Sequence, residues 1–211
     1  MTSPQYVVLV PVKPPAHGKS RLAGASDERR RELAAAFALD TVSACLAADR
    51  VHAVLAVTDD APFAARLAAL GCSSIPDGVT GDLNATLGQA AAEVDRRWPG
   101  LVPVAVCADL PALRPEELDD VLGRVPADTA AFVADQEGVG TTLYAAPYAL
   151  FAPRFGPGSR FAHLGTGALE IEGALPTLRR DVDDLDDLRG ALALGVGRHT
   201  AAVTASAPEM Q

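Results

Sequence analysis

Lysine is almost missing from this chain: of its 18 basic residues only Lys13 and Lys19 are lysine, and the rest are arginine. Acid outweighs base, with a net charge of −9 and a pI near 4.8. A chain so charged has no general electrostatic footprint for nucleic acid or for an anionic membrane. Neither is expected as a partner, and an anionic ligand needs a local cluster of cations. Cysteine is scarce too. Cys45, Cys72 and Cys107 are odd in number, widely spaced and set in apolar sequence. They read as reduced core residues of a cytosolic protein, with no disulfide framework and no metal site. No apolar run approaches the roughly 18 residues of a membrane span. The first residues are strand-like and lack a basic segment followed by an apolar one, so the expected compartment is the cytoplasm. The four histidines, His17, His52, His163 and His199, are scattered without ligand spacing or an evident cysteine or serine partner. That argues against a zinc site or a catalytic triad.

What is present is enough for a full core: 211 residues, 49% of them apolar. Tyr6 to Val12 is an apolar, β-branched strand pattern that runs into "PVKPPAHGKSRL", residues 11–22. The "GKS" invites a phosphate-loop reading, which the spacing rejects. The position where G-x-x-x-x-G-K-[ST] needs its first glycine holds Lys13, and Pro11, Pro14 and Pro15 bring no N–H groups to a would-be cradle. What remains is a loop with Lys13, Lys19 and Arg21 at the carboxyl end of a first strand. A compact ammonium suits a phosphate site; an arginine-biased composition with two neighbouring lysines would give the same pattern.

Along the chain, apolar runs of strand length alternate with helical patterns. Asp27 can cap a helix to about Ala48, with Leu39, Val42 and Leu46 on one face and Leu33 and Phe37 beside it. Strands are expected at His52–Thr58, Cys72–Asp77, Pro103–Asp109, Thr129–Ala134 and Thr142–Ala146, and helices at Pro62–Leu70, Leu83–Arg97 and from Pro115. The alternation implies right-handed βαβ units: an α/β domain of three layers, a mainly parallel, Rossmann-like sheet with helices on both faces. A further strand is expected through "LPTLRRDV", residues 175–182, and a helix in "DDLDDLRGALAL", residues 183–194. The domain is read as 1–195, with 196–211 as a flexible tail.

Ligands of such sheets sit at the carboxyl ends of the strands. Asp109 closes the run "VAVCAD", and Asp181 and Asp183, two apart on extended chain, share a face. Together they offer hard oxygen ligands for Mg²⁺. Turn-capping by Asp109 and helix-capping by Asp183 would also account for these acids. Two small-residue loops suggest an anion site. "GVGTT" (138–142) offers N–H groups and hydroxyls, and "FGPGSR" (155–160) puts Ser159 where a helix can begin. Turn chemistry explains either loop equally well.

The segments "VPVKPPAHGKSRLA", "FALDTV", "GDLNATL", "CADLPAL", "GTT", "FGPGS" and "RRDVDDLDDL", in this order between about Val7 and Leu192, resemble the 2-phospho-L-lactate or phosphoenolpyruvate guanylyltransferases of coenzyme F420 biosynthesis. The resemblance implies a GT-A-like nucleotidyltransferase fold and transfer of GMP from GTP to the phosphate of a small three-carbon acid, with Mg²⁺ required. By the same resemblance Asp109, Asp181 and Asp183 are metal ligands. Thr141, Gly156 and Ser159 hold the acceptor phosphate, Lys13, Lys19 and Arg21 clamp the triphosphate, and Asn84 of "GDLN" lies near the nucleotide. It further implies a downstream F420-pathway transferase as a partner. Another nucleotidyltransferase of this fold is disfavoured by the prolines where a Gly-rich "GGxGxRMG" loop would stand. A binding domain without chemistry should lack one of the three acids. The alanine- and arginine-rich composition suggests a GC-rich bacterial source, for which the resemblance favours phosphoenolpyruvate as the acceptor, with 2-phospho-L-lactate and 3-phosphoglycerate as alternatives.

Overall fold

A computed structural model describes residues 6–12, 26–79 and 81–206. The loop carrying Lys13, Lys19 and Arg21 lies outside these residues. Strands β1 (Tyr6–Pro11), β2 (Val51–Val57), β3 (Ser73–Ile75), β4 (Val102–Val106), β5 (Ala131–Ala134), β6 (Thr141–Ala145) and β7 (Leu169–Glu170) form one sheet in the order β3-β2-β1-β4-β6-β5-β7. All pairings are parallel except those of β6, which runs antiparallel between β4 and β5. The mainly parallel, three-layer sheet is therefore as expected, with one reversed strand inserted.

Both faces are covered because β1 and β4 are apolar at every position. Tyr6, Val8 and Val10 of β1 pack with Leu39, Val42 and Cys45 of α1 (Asp27–Ala47), Phe63 and Leu67 of α2 (Ala61–Ala68), and Leu118 and Val121 of α4 (Pro115–Arg124). Val7 and Leu9 point the other way, onto Leu87, Ala90 and Val94 of α3 (Leu83–Arg97). This is the two-sided burial of a parallel sheet, and each fully buried aliphatic side chain contributes about 1.5–3 kcal/mol. The α1 helix begins one residue earlier than expected as a cap: Ser26, not Asp27, is the N-cap, its side chain accepting from Arg29 N–H.

Two expectations fail. Residues 175–182 form no strand; a turn spans 176–178 and the rest is irregular. There the main chain is held by a side chain, with Glu117 Oε2 accepting from Thr177 N–H at 3.0 Å and Leu178 N–H at 3.1 Å. The edge of the sheet is supplied by β7 instead. The segment read as a tail carries α7 (Arg198–Ala205), which packs on α1 beyond α6 (Leu185–Leu194). Asp40 of α1, nearly fully buried, accepts from His199 N–H at 3.0 Å and Thr200 N–H at 2.8 Å and so caps α7 from another element. Cys45, Cys72 and Cys107 are all free thiols. Burial pushes Cys45 up, and Cys72 up to about 11, which fits inert core residues.

Candidate active site

Asp109 leaves the sheet just after β4, and α1 fixes how it leaves. Thr41, fully buried, puts its Oγ1 3.2 Å from the Ala108 carbonyl and accepts from Leu110 N–H at 3.1 Å, so one hydroxyl brackets Asp109 on both sides. The Asp109 carbonyl accepts from Val182 N–H at 3.0 Å. Val182 is turned into an apolar cluster with Leu33, Phe37 and Leu188, while Asp181 and Asp183 flank it, half-buried and exposed. The main chain thus lays the three expected acids side by side at the carboxyl end of β4.

Their carboxylates do not form a ready-made cage. Among the described residues no three His, Cys, Asp or Glu side chains are grouped so as to hold a metal ion. Like charges repel, and the backbone contact runs through Val182 rather than through the acids. The donor chemistry nevertheless suits a hard cation, because Mg²⁺ is usually held by one or two carboxylates completed by substrate phosphates. Helix capping does not account for Asp183. Asp184 is the N-cap of α6, with Asp187 completing a capping box.

Beside β4 lies the reversed strand. Cys107 N–H donates to the Thr142 carbonyl at 2.9 Å, which places the start of β6 next to the end of β4. Because β6 is antiparallel, its first residue reaches the edge at which β4 ends. Thr141 is re-aimed there by a bulge: Val133 pairs with Leu143 but Ala134 pairs with Thr141, leaving Thr142 as an extra residue. In a regular strand Thr141 and Tyr144, three apart, would face opposite sides. Here both meet His163 of α5 (Ser159–Gly165), whose ring stacks on Tyr144 at 4.7 Å and whose Nδ1 lies 3.0 Å from Thr141 Oγ1.

His163 is the residue that sequence reasoning missed. It is fully buried and boxed by Phe132 at 5.3 Å and the edge of Phe155 at 5.7 Å. Its Nε2 accepts from Arg154 N–H at 2.8 Å. Burial, with the Arg154 charge adding to it, pulls its pKa down to about 4; a hydrogen bond to the main chain of Ser159 acts the other way. Its partners are distant in sequence, so no spacing could have revealed it.

The loop before α5 carries the other expected acceptor residues. Gly156 has φ 138° and Gly158 φ 69°, both in the region that favours glycine; a Cβ at Gly156 would meet open space, so conformation rather than crowding within the protein selects glycine there. Ser159, almost fully buried, opens α5, and its N–H already donates to the Gly156 carbonyl at 3.1 Å. The hydroxyl is therefore its more available group. Asn84, expected near the nucleotide, is used here. Its Nδ2 donates to the Phe155 carbonyl at 2.9 Å and its Oδ1 accepts from Phe155 N–H at 2.8 Å, tying the start of α3 to this loop.

The "GVGTT" turn is not an N–H cradle. Asp135 accepts from Val139 N–H at 2.9 Å and from Gly140 N–H at 2.7 Å, so the protein's own carboxylate fills it. Thr141 of that loop instead turns its hydroxyl to His163. A small separate cavity at the ends of β1 and β2 is lined by Val12, Val57, Asp59, Asp77, Asp82 and Thr86. Val12 is where the cationic loop begins.

Residues 6–201 match the family described as guanylyl transferase CofC like. The chain is 52% identical, over 95% of its length and 96% of the relative's, to the phosphoenolpyruvate guanylyltransferase of Streptomyces scabiei (strain 87.22). The chain belongs to the CofC-like guanylyl transferase family. Among solved structures, this family member's fold is similar to that of a protein assigned as a nucleotide-diphospho-sugar transferase from Desulfovibrio desulfuricans G20. The TM-score is 0.74 at 17% identity, covering 98% of this chain and 96% of that one. It is also similar to Rv0371c of Mycobacterium tuberculosis H37Rv in complex with manganese, with a TM-score of 0.52 at 21% identity over 91% of this chain and 100% of that one. Among the described residues of this CofC-like chain, no helix is long and apolar enough to cross a membrane.

Proposed function

We propose that the protein transfers GMP from GTP to phosphoenolpyruvate, giving enolpyruvyl-diphospho-guanosine and pyrophosphate for coenzyme F420 biosynthesis. The observation that carries this reading is the 52% identity, over nearly the whole of both chains, to a phosphoenolpyruvate guanylyltransferase. Support also comes from the main-chain contacts that bring Asp109 next to Val182 and the start of β6 next to the end of β4.

The chemistry is a problem of charge. An acceptor phosphate oxygen must approach the α-phosphorus of GTP, and both partners are anions on a protein of net charge −9. Asp109, Asp181 and Asp183 would hold a divalent cation, Mg²⁺ in this reading, which when bound neutralises phosphate oxygens and orients them. Lys13, Lys19 and Arg21, which follow β1 in the sequence, would neutralise the leaving pyrophosphate. Thr141 and Ser159 would donate hydroxyls to the acceptor phosphate, with Gly156 shaping the loop beside it. The attacking phosphate is already ionised, so the residues need to position and neutralise rather than abstract a proton. A neutral His163 with both ring nitrogens engaged is consistent with that division of labour.

The test is pyrophosphate release from GTP and Mg²⁺ with phosphoenolpyruvate, 2-phospho-L-lactate and 3-phosphoglycerate in turn, with products weighed by mass spectrometry. Phosphoenolpyruvate is expected to give the highest kcat/KM. Equal or better turnover of another acid would reassign the acceptor. No pyrophosphate with any of them would remove the reading. Repeating the assay with CTP and ATP checks the choice of GTP.

A further inference from the structure

We propose that His163 is a positioning residue that sets the polarity of the Thr141 hydroxyl, so that its proton points at the acceptor phosphate. This rests on the reading above in which Thr141 holds that phosphate.

A backbone N–H can only donate. Because Arg154 N–H meets His163 Nε2 at 2.8 Å, that nitrogen is the acceptor and carries no proton. The buried ring is neutral near pH 7, with its pKa held down to about 4, so its one proton sits on Nδ1. Nδ1 lies 3.0 Å from Thr141 Oγ1. That Nδ1–H, which the main chain of Ser159 also draws on, can only donate, so Thr141 can accept but not donate there and its own hydroxyl proton is directed elsewhere. With the opposite tautomer the hydroxyl would donate to the ring and present only lone pairs to an incoming anion. The ring cannot turn to exchange these roles, being stacked on Tyr144 at 4.7 Å and flanked by Phe132 at 5.3 Å and Phe155 at 5.7 Å. One imidazole thus connects the bulge of β6, the Arg154–Phe155 loop and α5, the three segments that carry or adjoin Thr141, Gly156 and Ser159.

The test compares His163→Phe, which keeps the ring and removes the donor, with His163→Asn, whose amide can return an N–H near the Nδ1 position, and with Thr141→Val and the double variant Thr141→Val/His163→Phe. Each is assayed with phosphoenolpyruvate and GTP varied in turn, alongside thermal unfolding. His163→Phe is expected to raise the KM for phosphoenolpyruvate about tenfold, with kcat and the GTP KM changed less than about twofold. His163→Asn should recover part of that loss, and the double variant should be no worse than Thr141→Val alone. Should His163→Phe not fold, His163→Gln takes its place and should bind phosphoenolpyruvate less well than His163→Asn. A further tenfold loss in the double variant overturns the proposal, as does a equal rise in both KM values or a His163→Asn no better than its comparison. If Thr141→Val leaves the phosphoenolpyruvate KM unchanged, it is the placement of the acceptor that fails, and any effect of His163→Phe then belongs to the loop.

Discussion

Replacing Asn84 by alanine separates two roles for the "GDLN" segment. The Asn84 amide makes two hydrogen bonds to the main chain of Phe155, at 2.9 and 2.8 Å, in a half-buried setting. A neutral hydrogen bond contributes about 0.5–1.5 kcal/mol net, so losing both costs the loop about 1–3 kcal/mol. At roughly 1.4 kcal/mol per tenfold, that is a five- to 150-fold fall in the population of the held conformation at most. The loop runs directly into Gly156 and Ser159, so apparent affinity for the acceptor falls with the fraction of chains in which the loop is in place. Steady-state pyrophosphate release with each substrate varied should show a raised phosphoenolpyruvate KM and a GTP KM within about twofold of the parent. Asn84→Asp should fall between, since a carboxylate still accepts from Phe155 N–H but faces the Phe155 carbonyl with like charge. The reasoning is refuted if Asn84→Ala raises the GTP KM and spares the acceptor; Asn84 would then serve the nucleotide, as the resemblance implied.

Asp109→Asn is expected to abolish pyrophosphate release while leaving the unfolding midpoint within a few degrees, since the amide keeps shape and removes the charge; near-normal turnover at saturating Mg²⁺ would end its assignment. Ser159→Ala should raise the phosphoenolpyruvate KM roughly ten- to hundredfold, the value of one hydrogen bond to a charged group, and an effect on GTP alone would exchange the two substrate positions. Asp40→Ala removes the carboxylate that caps α7 through His199 and Thr200 and should cost about 0.5–2 kcal/mol in urea unfolding, with faster amide exchange confined to α7. Because the folded pKa of His163 is depressed to about 4, the unfolded chain binds its proton first as pH falls. Its stabilising contribution is complete above about pH 6.5 and declines toward pH 4, a slope that His163→Phe should flatten in pH-dependent unfolding.

The regular parts of the fold were plain in the sequence because their signals are local. The α3 helix runs Leu83–Arg97 as its apolar period and the following Pro-Gly require, and the strand-helix alternation gave the sheet its class. Asp109 was legible as an acid leaving an apolar run. What escaped depends on side chains outside the segment concerned. Residues 175–182 look like a strand because Leu175, Leu178 and Val182 are buried, yet the hydrogen bonds a strand would draw from a neighbour come partly from Glu117. The "GVGTT" turn seemed open to an anion because Asp135, which fills it, lies outside the motif. Polar, aperiodic sequence hid α7, whose cap is Asp40. His163 was one of four scattered histidines until the bulge at Thr142 brought its partner to the same side of the sheet.

The strand order has a consequence for how the protein is made. β1 is an interior strand of the sheet, with Tyr6 paired to Val51 on one side and to Val102 on the other. During synthesis β1 and β2 emerge early, but the second edge of β1 waits for β4, after α2, β3 and α3 have left the ribosome. For that interval a fully apolar strand presents unpaired N–H and C=O groups, the template on which chains join edge to edge, and a pairing so distant in sequence closes slowly. The β5–β6 pair, joined by a short turn, carries no such delay. Nascent chains arrested before Val102 should therefore be the aggregation-prone ones, and those arrested after Val106 should not.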